Sequence, residues 1–196
     1  MNLVERVQAI CLKPKDTWPT IAAEPETTQG LYTNYIMPLA AIGPIAAFIG
    51  MSLIGVSTIL GSIRTSVVGG LVQAVISYAL GLVGCYVAAY IAAQLAPSFG
   101  GEKNVVSGLK LIAYSSTPVW VASIILILPQ LGIVTLLAAL YGLYVLYLGV
   151  PPVMKVTPDK QAVYTIILFV VWVVVFMAIG AIVAALRIGA GGLGVM

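Results

Sequence analysis

The chain has 196 residues, of which 61% are apolar and only 8% are charged. Because an ordinary soluble domain carries roughly 25% charged residues, this composition excludes a soluble globular protein and also a disordered, fibrous or collagen-like chain. With a mean hydropathy of +1.12, the chain is predicted to form one helical membrane unit without a second, aqueous domain. The net charge of +3 is too small to indicate a nucleic-acid partner.

Residues 1–30 are predicted to form a separate segment on the cytoplasmic surface of the membrane. Asn2 and Glu5 have the spacing of a capping box, with Asn in the place of Ser or Thr. The apolar residues of the helix that follows share one face: Leu3, Val7 and Ile10. The opposite face carries Glu5, Arg6 and Gln8, so this short helix is expected to lie in the headgroup region.

A second short helix is predicted after the break at residues 13–19. Asp16 or Thr17 can cap it, Trp18 would anchor it at the membrane interface, and Pro25 would end it. Two interpretations of the segment are open. It either sets the angle of the first membrane span, which we favour, or offers a docking surface for a cytosolic partner.

Five later segments are long and apolar enough to cross a bilayer, which takes about 20 helical residues. They are residues 36–60, 67–96, 105–128, 131–150 and 158–186. Asn104 is the expected N-cap of the third span, and Thr157 that of the fifth, with Pro158 at its first position. The double proline Pro151–Pro152 is expected to stop the fourth span.

The predicted fold is therefore all-α: a polytopic membrane bundle of five transmembrane helices with short N-terminal interfacial helices. The membrane domain would cover residues 31–188, and the glycine-rich residues 189–196 would form a flexible tail. With the N-terminus inside, seven basic residues fall on the cytoplasmic side: Arg6, Lys13, Lys15, Lys103, Lys110, Lys155 and Lys160. Only Arg64 and Arg187 fall on the other side, so the N-terminus is predicted to be cytoplasmic and the C-terminus outside or lumenal.

The predicted spans lack the groups that membrane-embedded catalysis usually needs. They contain no Asp or Glu, and the chain has no His. A zinc protease, an aspartyl intramembrane protease and a serine–histidine site would each miss a required residue. Cys11 and Cys85 match no metal or redox spacing. The sequence therefore predicts a protein that is not an enzyme, with no catalytic residues, no cofactor and no metal.

Small residues and tyrosines recur in register within the spans. A stripe of small residues on the second span has a spacing of four: Ser77, Gly81, Cys85, Ala89 and Ala93. Such a stripe permits close helix packing within one chain or between two copies. A candidate polar belt is formed by six further residues: Tyr86, Tyr90, Tyr114, Pro118, Tyr141 and Tyr144.

Two interpretations of this belt are open. The first, which we favour, is packing and hydrogen bonding between helices, with Pro118 kinking the third span. The second is a cavity for a ligand or a lipid headgroup, lined by Tyr86, Tyr90, Tyr114 and Tyr144.

Polar loops and the N-terminal segment provide a candidate face for a protein partner or lipids. Its residues are Trp18, Glu102, Lys103, Pro151, Pro152, Lys155, Asp159 and Lys160. Lys155 and Lys160 would lie at the depth of anionic headgroups, where each is worth about 1 kcal/mol. Alternatively, these lysines only set the topology.

Four stretches resemble the Yip (Ypt/Rab-interacting protein) family. They are KPKDTWPTIAAEPET from Lys13 to Thr27, SFGGEKNVVSGLKLIAYSSTPVWVA from Ser98 to Ala122, LYGLYVLYLG from Leu140 to Gly149, and the continuation VPPVMKVTPDKQAVYT to Thr165. The resemblance implies a five-helix integral membrane protein. Eukaryotic relatives act in vesicle-mediated transport, associate with Rab-type GTPases through their cytoplasmic face and pair with other family members.

This chain departs from those relatives in having only about 30 residues before the first predicted span. Its short loops resemble the bacterial branch of the family, where Rab GTPases are absent. The leading hypothesis is thus a non-enzymatic scaffold or adaptor that organises lipids, membrane proteins or cytoplasmic-face proteins, as a homo-oligomer or hetero-oligomer. The alternative is a component of a small-solute or ion permease or channel. The loops favour a bacterial inner membrane over an ER or Golgi membrane.

Overall fold

The computed structural model describes the backbone of residues 2–58 and 61–191 and the side chains of residues 2–55 and 64–185. Five of its helices are long and apolar enough to cross a membrane, which confirms the predicted class. They are span 1 (Thr28–Ile54), span 2 (Val67–Phe99), span 3 (Val105–Ile127), span 4 (Ile133–Met154) and span 5 (Gln161–Ala185). The last helix continues to Gly191. Of the predicted flexible tail, residues 192–196 lie outside the described residues.

Two short helices precede the spans: α1 (Leu3–Leu12) and α2 (Pro14–Ala23). The predicted capping box is present, since the Glu5 amide donates to Asn2 Oδ1 at 2.8 Å and the Asn2 amide donates to Glu5 Oε2 at 3.0 Å. Neither Asp16 nor Thr17 caps α2. This helix begins earlier, at Pro14, because a proline at the first helical position loses no hydrogen bond.

Span 1 differs from its predicted bounds at both ends. It begins at Thr28, where the Thr27 hydroxyl accepts from the Gly30 amide at 3.0 Å, and it ends at Ile54 before Gly55, whose φ is 83°. The prediction from hydropathy began at residue 36 because the preceding turns, residues 28–35, contain polar residues. A helix can project beyond the hydrocarbon core, so these turns still belong to the span. A short antiparallel hairpin, β1 (Val56–Thr58) and β2 (Gly61–Ile63), follows and was not predicted.

The predicted helix caps are correct for span 3 and wrong for span 5. Asn104 caps span 3 by accepting from the Ser107 amide at 3.1 Å. Span 5 begins at Gln161 instead of residue 158. The reason is that residues 157–160 form a turn in which the Lys160 amide donates to the Thr157 carbonyl at 3.0 Å.

The double proline does not stop span 4. The helix passes through Pro151 and Pro152 as a π-type turn, Val150–Met154, and ends at Lys155, which has a left-handed φ of 57°. A proline ring lacks an N–H and crowds the preceding turn. The wider π turn accommodates both rings, and the end of the helix is displaced by about one turn.

Span 3 lies at the centre of the bundle, where most residues between Gly108 and Pro118 are buried. A Cβ atom at Gly108 would lie 2.4 Å from the carbonyl oxygen of Ala89, so glycine alone permits this approach to span 2. At Gly84, a Cβ atom would lie 2.7 Å from Ile179 of span 5. Ala89 and Ala93, the two residues of the small stripe nearest the Phe99 end of span 2, are thus buried within one chain.

Candidate functional site

Two loops meet at the end of the bundle that carries α1 and α2, which we call the N-terminal face. They are residues 98–104, between spans 2 and 3, and residues 155–160, between spans 4 and 5. The Glu102 amide donates to the Met154 carbonyl at 3.0 Å, and the Thr157 amide donates to the Phe99 carbonyl at 3.3 Å. These backbone hydrogen bonds join the loops into one platform.

The platform presents several charged side chains on one surface. Lys155 Nζ and Glu102 Oε1 form an ion pair at 2.8 Å, with both side chains more than half exposed. A pair this exposed contributes at most about 1 kcal/mol to stability. Lys103, Asp159 and Lys160 are exposed beside it, and hydrogen bonding to the Thr157 hydroxyl lowers the pKa of the Asp159 carboxyl.

The structure therefore brings together five of the eight residues predicted for the partner or lipid face. Pro151 and Pro152 are half-buried in the helix end beneath the platform and contribute little accessible surface. The eighth residue, Trp18, lies elsewhere.

Trp18 is buried, with 1% of its surface exposed. The prediction that this side chain anchors α2 at the membrane interface is therefore wrong. Its indole Nε1 donates to the Val145 carbonyl at 2.9 Å, and its ring meets Tyr114 edge-on at a centroid distance of 6.1 Å. A Cβ atom at Gly149 would lie 2.5 Å from the Trp18 ring. The side chain is inside the bundle because Gly149 leaves room for it and a carbonyl satisfies its N–H.

Charged residues also hold the N-terminal helices against span 3. Arg6 was expected on the exposed face of α1, but it is buried, and its Nη2 lies 2.6 Å from both carboxylate oxygens of Glu24. Lys110, expected as a topology-setting lysine, is buried on span 3 and donates to the carbonyls of Ile21 (2.8 Å) and Glu24. Those carbonyls end α2, where a cation is favourable.

The candidate tyrosine belt is not brought together around one cavity. Tyr86, Tyr90 and Tyr144 are exposed on the outer surface of the bundle, because their positions on the helices lie beside the buried small residues and not among them. Tyr114 is buried, and its ring lies 4.3 Å from that of Tyr35. Tyr141 donates to the Cys11 carbonyl at 2.8 Å and so contacts α1.

Pro118 is buried within the helical part of span 3, which is α-helical as far as Ala122. The hypothesis of a cavity lined by Tyr86, Tyr90, Tyr114 and Tyr144 is therefore corrected.

A different cavity lies between spans 1, 2, 3 and 5, in the part of the bundle away from the N-terminal face. Its volume is about 550 Å³. Its lining includes the following polar and aromatic residues: Ser52, Gln73, Ser77, Ser116, Trp120 and Trp172. Ser52 is 6% exposed, and its hydroxyl has no hydrogen-bond partner among the described residues.

A model of the Yip1 domain matches residues 8–182, which include all of α2, spans 1 to 4 and most of span 5. The chain belongs to the Yip1 domain family. The resemblance inferred from the sequence is thereby confirmed, as is an integral membrane protein with five spanning helices.

Two curated relatives of this Yip1-domain protein come from Escherichia coli. Both are called inner membrane protein YohC, one from strain K12 and one from strain O6:H1 (CFT073). Each is 28% identical to this chain over 151 residues, which cover 75% of this chain and 77% of the relative. No solved structure matches the chain significantly.

Sequence reasoning missed the polar side chains that join the spans of this Yip1-domain bundle. Tyr35 and Thr117 share a 2.7 Å hydrogen bond, and Tyr164 donates to the Ala92 carbonyl at 2.7 Å. The spacing of Arg6, three residues after Leu3 and four before Ile10, was an available signal that this cation faces the bundle. Within the described part of the chain, no group of three His, Cys, Asp or Glu side chains could hold a metal ion.

Proposed function

We propose that this protein is a non-enzymatic scaffold or adaptor that organises membrane partners or lipids through its N-terminal face. The observation that carries the proposal is the platform, in which two hydrogen-bonded loops present Glu102, Lys103, Lys155, Asp159 and Lys160 on one exposed surface. Charged groups fixed on a rigid surface favour specific recognition and steer encounter with a partner.

We further propose that the N-terminal face is cytoplasmic and that the membrane is a bacterial inner membrane. Exposed lysines on this face include Lys13, Lys15 and Lys103, whereas the far end of span 1 is followed by a single exposed arginine, Arg64. This asymmetry supports a cytoplasmic N-terminus. The printed name of the E. coli relatives supports the choice of membrane.

Charge reversal on the platform tests the proposed function. We expect Lys155→Glu combined with Lys160→Glu to reduce recovery of a bound protein or lipid at least tenfold, because two attractive cations become repulsive anions. The measurement is affinity purification from gently extracted membranes with quantitative mass spectrometry. Arg64→Glu, an exposed site at the other end of the bundle, is the matched control. Equal recovery of the same molecules from all three proteins would contradict the proposal.

A second candidate, a component of a small-solute or ion permease or channel, is favoured by the cavity of about 550 Å³. The described residues that line this cavity include no Asp, Glu, Lys or Arg, which weakens the case for an ion pathway. Reconstituted vesicles that show protein-dependent flux of a small solute would support this candidate. Vesicles that stay tight to ions and solutes would count against it.

A further inference from the structure

The cavity between spans 1, 2, 3 and 5 has no role in the proposed adaptor surface. Its volume of about 550 Å³ lies within the roughly 300–1,000 Å³ typical of ligand-binding pockets. Its walls are mostly apolar and belong to membrane-spanning helices. Molecules that reach it from the bilayer are therefore apolar or have a long apolar part.

Two glycines that line this cavity have open space where a side chain would be. A Cβ atom built at Gly81 or at Gly180 would meet no atom within 4 Å. Small residues on membrane helices usually allow two backbones to approach, as Gly84 does for span 5. At Gly81 and Gly180 no helix of the described residues fills the space, and an empty volume of this size would forfeit dispersion contacts along its walls.

The cavity is more polar at its end near the β1–β2 hairpin than at its inner end. Ser52, Thr65 and Gln73 line the outer end, and the Ser52 hydroxyl, 94% buried, has no acceptor or donor among the described residues. The inner end is lined by Ala88 and Ile112. The Ser52 hydroxyl lies against Gly70 and has no accessible surface, whereas the Gln73 side chain lines the cavity and is partly exposed, so its amide can donate a hydrogen bond to a guest.

The size of the cavity separates two kinds of guest. A helix about 10 Å in diameter needs roughly 400 Å³ for each 5.4 Å turn, so the cavity encloses little more than one turn of a span from a second copy. A water molecule occupies roughly 30 Å³, and a methylene group is of similar size. By that measure, the cavity accommodates on the order of 15–20 carbon atoms, which is one acyl chain.

We propose that this cavity binds one acyl chain of a membrane phospholipid. The ester carbonyl lies beside Gln73 and accepts a hydrogen bond from its side-chain amide, and the chain runs inward past Gly81 and Gly180 towards Ile112. A phospholipid ester fits better than a free fatty acid, because no cation among the described lining residues would pair with a carboxylate.

Variants that fill the cavity test this proposal. Gly81→Phe with Gly180→Phe places two rings in open space, whereas Val83→Phe with Val174→Phe places them on exposed positions of the same helices. Each protein is reconstituted in phosphatidylethanolamine–phosphatidylglycerol vesicles with a phospholipid that carries a photoreactive acyl chain. We expect the parent and the Val83/Val174 variant to be labelled at cavity residues, and the Gly81/Gly180 variant to lose at least tenfold of that labelling.

Gln73→Leu removes the proposed hydrogen bond without adding bulk, and we expect it to lower cavity labelling several-fold. This variant also tests the proposal if the protein with Gly81→Phe and Gly180→Phe does not fold, as judged by size-exclusion chromatography. A photoreactive free fatty acid, tested in parallel, is expected to label the cavity less than the phospholipid does. The proposal is overturned if labelling is equal in the filled and control variants, if fatty acid labels the cavity better, or if cavity residues crosslink to a second copy.

Discussion

Replacing Trp18 by alanine is expected to release the N-terminal helices from the bundle. The substitution removes a fully buried indole, its hydrogen bond to the Val145 carbonyl and its contacts with Tyr114 and Gly149. Truncation of a buried tryptophan costs about 3–5 kcal/mol. Since the lost contacts all join α2 to spans 3 and 4, the docking of α1 and α2 should bear most of this cost.

Cys11 reports this release directly. Burial raises the pKa of its thiol and slows alkylation, and its carbonyl accepts from Tyr141 of span 4. In a Cys85→Ala background, we expect Trp18→Ala to increase the rate of Cys11 modification by a water-soluble maleimide at least tenfold. Trp18→Phe should give a smaller increase, and Tyr90→Ala, an exposed control on span 2, should give none. Equal rates in all variants would contradict the docked arrangement.

Removing Glu24 is expected to destabilise the same docking through charge. Glu24→Leu leaves the Arg6 guanidinium buried without its carboxylate, and Arg6 Nη1 already has no partner among the described residues. Breaking a fully buried pair costs about 3–5 kcal/mol. Because the Glu24 side chain is 36% exposed, we expect roughly 2 kcal/mol here.

A double-mutant cycle separates the interaction energy between Arg6 and Glu24 from the contribution that each residue makes on its own. Arg6→Met together with Glu24→Leu should recover most of the loss, since it removes both charges and keeps an apolar surface against span 3. Glu26→Leu, at a neighbouring exposed acid, is the matched control and should have little effect. The readout is amide hydrogen exchange across α1 and α2. Strictly additive effects would show that Arg6 and Glu24 are not coupled.

Local signals in the sequence predicted much of the fold. Asn2 and Asn104 cap their helices as expected, because a capping interaction depends on residues only three positions apart. The five spans are present because length and hydropathy determine which helices can cross a bilayer. Their ends were less predictable. Span 1 begins in polar residues, and span 4 passes through two prolines as a π turn.

The features that depend on distant residues could not be predicted in this way. Trp18 looks like an interfacial anchor until Gly149 and Val145, more than 120 positions away, provide its pocket and acceptor. Lys110 looks like a topology signal until the end of α2 lies against it. The loop residues Glu102 and Lys155 were predicted to share one face, and they lie on one surface, but nothing in the sequence indicated their direct ion pair.

The N-terminal helices also support the platform on which the proposed function depends. α1 and α2 are held by Arg6, Trp18 and Lys110 against spans 3 and 4, the helices whose ends lead into the two loops. Release of α1 and α2 would therefore loosen the support of the platform. We expect Trp18→Ala to weaken partner recovery indirectly, with Lys155 and Lys160 unchanged.

Site-specific photocrosslinking in living cells tests the adaptor proposal most directly. A photoreactive amino acid is placed at Lys103, on the platform, or at Gln130, an exposed position at the far end of the bundle. We expect a discrete crosslinked protein or lipid from position 103 that disappears with Lys155→Glu and Lys160→Glu, and no such product from position 130. Identical products from both positions, or a product at 103 that survives charge reversal, would contradict the account.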